Sequence, residues 1–369
     1  MISFDLTEEL RMIRDTVVAF AADEIRPAAR VADETGSIPP ALIAQSWELG
    51  LVRGVIPEEF GGYGDARSAV TGAIVAEELA FGDLSIALHA LSPRLLAFPV
   101  IEFGTPDQRE RILKDFASDN FAAGTVALAE PRFDFDASAL DTTAHPDAEG
   151  FILNGVKCCV PLAVESNTIL VFAATNRDAG FGGVDGFLLS RTTPGLTISG
   201  REQNMGLKGL ATYELKLENC RIGRDSRLGG DQGINFTRIV SQSRVAAAAM
   251  AVGVAHAAYE YAKAYAKERK AFGVPIATKQ AIAFMLADMA IETDATRLLV
   301  WEAAACLDRG EDALTESYQA RNYAAQSSLM VTDNAVQILG GHGYIREHPV
   351  EMFLRNARGF AVLEGIATV

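Results

Sequence analysis

The apolar residues of this chain change their spacing twice, and any fold must honour both changes. Up to residue 120 the spacing is helical. Leu6, Leu10, Ile13, Val17, Phe20 and Ile25 recur mostly every three or four residues, as one buried helix face requires. Asp5 with Glu8 predicts a capping box at the start of that helix. Pro39-Pro40 opens a second helix, and helical spacing returns from about Arg67 to Phe116, interrupted near Gly104 and Pro106. Between residues 121 and 230 the period falls towards two. In Tyr213-Glu214-Leu215-Lys216-Leu217-Glu218 apolar and charged residues alternate strictly, so one face of a strand is buried and the other wet. Asn154-Gly155, between Phe151-Ile152-Leu153 and Val156-Lys157-Cys158-Cys159, predicts a type I′ hairpin turn. From residue 231 onward three long helical patterns follow, over about 233–270, 278–309 and 315–339, the first and third rich in Ala. The expectation is an α+β chain in three parts. These are an N-terminal helical domain (1–120), a central antiparallel β barrel or sandwich (121–230) and a C-terminal bundle of long helices (231–369).

Charge and composition narrow the function. The 369 residues carry 33 basic and 48 acidic side chains, a net charge of −15, which argues against a nucleic-acid partner. A local Arg cluster can still hold a phosphate. The 49% hydrophobic content suffices for a continuous core. Four cysteines, Cys158, Cys159, Cys220 and Cys306, contain no C-x-x-C pair, and the five histidines share no metal-like spacing. MISFDLTEEL is neither a secretory signal nor basic enough for a mitochondrial presequence, so a cytoplasmic setting is expected. Val245 to Ala258 reads as the most apolar stretch. With His256 inside it and fewer than the ~20 residues of a span, it predicts a buried helix and no membrane crossing.

Several motifs then fall in register. Arg269-Lys270-Ala271-Phe272-Gly273-Val274-Pro275-Ile276 with Gln280, and Gln337-Ile338-Leu339-Gly340-Gly341-His342-Gly343-Tyr344, lie in the third zone with Glu364-Gly365 behind them. Ala129-Glu130-Pro131 and Leu153-Asn154-Gly155-Val156-Lys157 lie in the second. Together they resemble the flavin-dependent acyl-CoA dehydrogenase family over nearly the whole chain. The resemblance implies FAD as cofactor and α,β-dehydrogenation of an acyl-CoA thioester to the trans-2-enoyl product. Electrons would pass on to an electron-transferring flavoprotein, and the assembly would be a homo- or hetero-tetramer.

By the same resemblance Glu364 is the base that takes the α-proton. The chemistry needs a carboxylate on one face of the acyl chain, opposite the flavin. An alternative position on the long helix, before Arg244, holds Ser243, which cannot serve. Arg269, Phe272, Gln280, Gln337, Gly340 and Gly341 are implied to meet the pyrophosphate and adenosine of a neighbour's FAD. A guanidinium fork suits phosphate oxygens. Leu128, Ala129, Cys159, Val160 and Ile366 are implied at the flavin ring, and Arg244, Phe135 and Asp136 on the substrate side.

The ring half departs from the family pattern. Ala129 stands for a hydroxyl residue, Cys159 for a Trp, Pro161 and Ile366 for Thr, and Phe133-Asp134-Phe135-Asp136 for a Gly-rich stretch. Three lost hydroxyls at ~0.5–1.5 kcal/mol each amount to ~1.5–4.5 kcal/mol, or ~10- to 2000-fold in affinity. Two functions are therefore expected from one sequence. The first is an active FAD enzyme using Glu364. The second is a degenerate subunit lending Arg269 and Gln337 to a catalytic partner. A dehydrogenase of carrier-protein thioesters ranks third.

Overall fold

A computed structural model describes residues 6–369. Helix α1 (Glu8–Phe20) starts at Thr7, whose Oγ1 accepts the Leu10 N–H at 3.2 Å. The predicted Asp5 cap lies outside the described residues. A π-helical turn, Ala21–Ile25, joins α1 to α2 (Arg26–Thr35). Pro27 lacks the N–H that an unbroken α ladder would use, and the wider turn accommodates this. Helix α3 (Pro40–Glu48) opens at Pro40. Helices α4 (Ala69–Gly82) and α5 (Leu84–Phe103) are separated by the single extended residue Asp83, whose side chain caps Ile86. Helix α6 (Pro106–Phe116) begins with a Thr105–Gln108 capping box. Among the described residues α5 is the one helix long and apolar enough to cross a membrane, and it replaces Val245–Ala258 as the most notable apolar run. Its apolar window is 89% buried inside the protein, as a core helix requires.

The second zone forms one curled seven-stranded sheet, ordered β1-β4-β2-β3-β7-β6 with β5 beside β4. The strands are β1 (Thr125–Ala127), β2 (Thr143–Pro146), β3 (Gly150–Pro161), β4 (Thr168–Ala174), β5 (Val184–Ser190), β6 (Leu196–Arg201) and β7 (Thr212–Gly223). Most pairings are antiparallel, but β1 and β2 run parallel to β4, so the sheet is mixed. Tyr213, Leu215 and Leu217 are buried on one face of β7, as the alternation predicts.

Asn154-Gly155 is no hairpin turn. It lies inside the twelve-residue strand β3, where the register against β7 shifts, and Asn154 Oδ1 accepts the Asn219 N–H at 2.8 Å. A Cβ on Gly155 would sit 2.4 Å from Thr142 Oγ1, so close approach requires the glycine. The β2–β3 reversal falls earlier, where Asp147 N–H bonds Gly150 O at 2.8 Å. A turn with two positive-φ residues does occur elsewhere, at Phe272 (φ 56) and Gly273 (φ 82). It joins the short strands β8 (Lys270–Ala271) and β9 (Val274–Pro275).

Helices α7 (Phe236–Glu268), α8 (Gln280–Asp308) and α9 (Leu314–Leu339) match the three long patterns within a few residues. The short α10 (Gly341–Tyr344) and α11 (Val350–Ala357) follow. Helix α7 is buried along most of its length and packs against α4, α8, α9 and α11. Its alanines let those backbones close in, and the N- and C-terminal helices share one apolar core.

His89, on α5 with its ring 5.3 Å from Phe121, is held neutral because burial pushes it down to about 4. The unfolded imidazole titrates near its ordinary ~6.5. Between those values the unfolded chain binds more protons, so stability falls as pH drops from 6.5 towards 4. His89→Leu is expected to flatten that slope by up to one proton, read from urea midpoints at several pH values across the window.

Candidate functional site

A cavity of about 380 Å³ opens between the loop after β1, the third turn of α7, the first turns of α9 and the segment after α11. Arg244 of α7 and Glu364 form its charged corner. Arg244 Nε donates to Glu364 Oε1 at 2.7 Å, with both side chains nearly buried (8% and 12% exposed). The Arg244 guanidinium lies 5.5 Å from the centre of the Tyr318 ring. Glu364 Oε2 makes no hydrogen bond among the described residues. Arg321 Nη2 donates to the carbonyl of Leu363, directly before Glu364, at 2.6 Å.

The β side of the cavity is tied down by a second buried pair. Lys157 Nζ donates to Glu130 Oε1 at 2.9 Å and to the Leu128 carbonyl at 3.0 Å. Glu130 also accepts the N–H groups of Asp141 and Thr142, at 2.7 and 2.8 Å. Burial alone would raise this carboxyl, but the Lys157 charge and the two N–H groups outweigh it and hold it below its ordinary value. Burial pushes Lys157 down to about 8. Glu130 is thus committed to structure. Just beyond Lys157 the strand bulges: Cys158 and Cys159 together oppose Glu214, and Cys159 takes a positive φ of 55°. Cys159 N–H is spent on Glu202 Oε1 at 3.1 Å. The Asp136 carboxylate accepts Ser138 N–H and O–H, both at 2.7 Å, which shapes the loop carrying Phe133 and Phe135.

The cavity gathers Glu364, Ala129, Arg244, Phe135 and Asp136 from the sequence reading. Leu128, Val160 and Ile366 do not line it. They are buried in the packing, as is Ala129 apart from its cavity-facing edge. Sequence reasoning missed Tyr318, Arg321 and Asn322. Their spacing of three and four puts them on one face of α9, a polar patch on an Ala-rich bundle helix, which was a usable signal.

A second, shallower cavity of about 300 Å³ brings together Arg269, Gly340 and Gly341 with Tyr265 and His342. Arg269 has no ion pair or side-chain hydrogen bond among the described residues, and nothing lies within 4 Å of where a Cβ on Gly340 or Gly341 would stand. Tyr265 Oη pairs with His342 Nδ1 at 2.7 Å, and His342 stacks on His348 at 5.4 Å. Phe272 is 95% exposed beside it. Gln280 and Gln337 are exposed and line neither cavity.

Three family models match in order. The N-terminal, middle and C-terminal domains of acyl-CoA dehydrogenase match residues 7–120, 125–220 and 232–369. The mitochondrial short-chain specific acyl-CoA dehydrogenase of Bos taurus is 35% identical, over 100% of this chain and 89% of its own length. A probable acyl-CoA dehydrogenase of Bacillus subtilis is 36% identical, over 100% and 97%. The solved butyryl-CoA dehydrogenase of Megasphaera elsdenii superposes with a TM-score of 0.88 at 30% identity, covering 100% of this chain and 96% of that one. The chain belongs to the acyl-CoA dehydrogenase family, and it is an FAD-dependent oxidoreductase.

The residues present fit FAD unevenly. The open glycines and unengaged Arg269 make a cradle that suits the anionic nucleotide end. Leu128, Ala129, Val160 and Ile366, which the resemblance implies for the ring end, are buried against their neighbours and offer no side-chain donor.

Lys157→Met would leave Glu130 buried without its cation. Breaking such a pair is expected to cost about 3 kcal/mol or more in urea unfolding. The double variant Lys157→Met/Glu130→Gln should recover part of that loss, because no buried charge is then orphaned.

Proposed function

We propose that this protein oxidises an acyl thioester at its α,β carbon–carbon bond, with Glu364 taking the α-proton. The observation that carries the reading is a carboxylate on the cavity wall with one oxygen held and one uncommitted. Arg244 fixes Oε1 at 2.7 Å, which leaves Oε2 to receive a proton. Tyr318 and the Arg321 bond to Leu363 limit how far the Glu364 segment can swing. The committed Glu130 keeps the opposite wall rigid and is no rival base. Bound FAD supplies the acceptor for the β-hydride. Arg269, Gly340 and Gly341 would hold the nucleotide end, Phe272 would pack on it, and Gln280 and Gln337 lie on the flanking helix ends.

Because Arg269 and Phe272 lie exposed, the reading includes a neighbouring copy or partner chain whose FAD they complete, in a dimer or dimer of dimers. An electron-transferring flavoprotein is the proposed electron acceptor. The cytoplasmic setting stays within the reading, supported by four free thiols.

Glu364→Gln nearly preserves shape and removes the proton acceptor. The rate of flavin reduction by an acyl-CoA, followed by stopped-flow absorbance, is expected to fall at least ~100-fold, with acyl-CoA binding largely kept. Near-normal reduction by the Gln variant would move the base elsewhere.

One observation favours the half-site subunit as a second reading: the ring positions are packed with apolar side chains while the nucleotide cradle stands open. We expect flavin well below one per chain after dialysis of protein purified alone, rising with excess FAD or a partner subunit. Sedimentation of the same sample should give at least a dimer. Gly341→Val, which has room for its side chain, should lower flavin retention further while leaving thermal stability nearly unchanged. Stoichiometric, non-exchanging FAD in the homomer would dismiss the second reading.

A further inference from the structure

The cavity that holds Glu364 is walled by as many ionised as hydrocarbon side chains, and five of its six ionised side chains have a partner within the protein. Glu130 has Lys157 at 2.9 Å. Arg244 and Glu364 have each other at 2.7 Å. Asp136 accepts two bonds from Ser138, and Arg132 faces Asp141 at 3.5 Å. Arg321 is the exception in lacking a carboxylate: it has no carboxylate partner among the described residues and its Nη2 is bound only to the Leu363 carbonyl, while its Nε, like that of Arg132, is buried with no hydrogen-bond partner.

That arrangement is costly for the protein alone. A guanidinium withdrawn from water needs an anion and full hydrogen bonding to offset its desolvation. Burial pushes Arg321 below its ordinary value, with Glu364 opposing the shift and Arg244 adding to it. At this corner two guanidinium groups share one carboxylate. A second carboxylate would balance the corner and would meet a fork of matching geometry.

We propose that Arg321 receives a carboxylate of the substrate, so that the favoured acyl thioester is the monothioester of a short dicarboxylic acid. The proposal rests on reading this cavity as the acyl-thioester site. Reach favours the acyl group as the source of the anion. Arg321 is bonded to the residue next to Glu364, so an anion on it lies close to the reacting carbons. The phosphates of a carrier arm are separated from the thioester by the whole pantetheine chain and point away from the base. A plain alkyl chain brings no partner for the buried guanidinium.

The test separates binding from turnover. Calorimetry would compare S-(ω-carboxyalkyl)-CoA with S-alkyl-CoA of equal length, thioethers that cannot be oxidised. The purified protein is expected to bind the carboxylate-bearing analogue about 10- to 100-fold more tightly. Arg321→Leu should bring the ratio to within about 3-fold of one, and Arg321→Lys, which keeps the charge, should retain part of it. Equal affinities in the unmodified protein, or a preference untouched by Arg321→Leu, would overturn the proposal. Should Arg321→Leu fail to fold, the ratio in the unmodified protein and in Arg321→Lys decides. If Arg321→Leu instead weakens both CoA analogues alike but spares their pantetheine counterparts, Arg321 holds a phosphate and the proposal falls. An intact analogue preference without flavin reduction by any thioester would sink the dehydrogenation reading and leave the anion site standing.

Discussion

A guanidinium on a helix buried along most of its length is costly to leave unpaired, and Arg244 is answered 120 residues away by Glu364. Much of the site follows from that pair. It draws the segment after α11 onto the third turn of α7, which sets the Glu364 carboxylate on the cavity wall rather than in solvent. The Tyr318 ring on α9 lies 5.5 Å from the guanidinium, which brings a third element to the corner. A pair this deeply withdrawn from water repays its desolvation only with good geometry, so the corner is constrained from several elements at once.

The same physics operates on the sheet side. Lys157 and Glu130 are almost fully buried, and every contact they make ties the loop after β1 to β3 and to the start of β2. Two buried ion pairs, one in the bundle and one in the sheet, thus face the cavity from opposite walls. Beside the first of them sits Arg321, a charge without a carboxylate partner among the described residues. Of the six ionised side chains that line the cavity, Arg321 is the one with no side-chain partner among the described residues, and the proposed anion is placed there for that reason.

The cofactor halves differ for a physical reason. The nucleotide cradle is made of open backbone and an exposed Arg, features that cost a lone chain little and wait for a partner. Leu128, Ala129, Val160 and Ile366, proposed for the ring end, are interior positions, where apolar side chains gain by packing against one another. Ala129, Pro161 and Ile366, where the resemblance implies hydroxyl residues, are buried, so they bear on core packing as well as on the proposed ligand contacts.

Hydrophobic period alone determined the order of helices, strands and helices, the three long helices of the bundle and the buried face of β7, because periodicity reports which side of an element faces the core. Local pattern could not tell a turn from a bulge at Asn154-Gly155. That choice depended on Thr142 and Asn219, which the chain brings alongside only after the sheet forms. Motif resemblance carried Glu364, Arg269 and the Gly340-Gly341 pair. Tyr318, Arg321 and Asn322 were hidden within an ordinary helix pattern. Their role is decided by which face of α9 meets the cavity and by which charges remain unpaired when α7, α9 and the Glu364 segment close together, and charge pairing across such separations is a property of the tertiary fold alone.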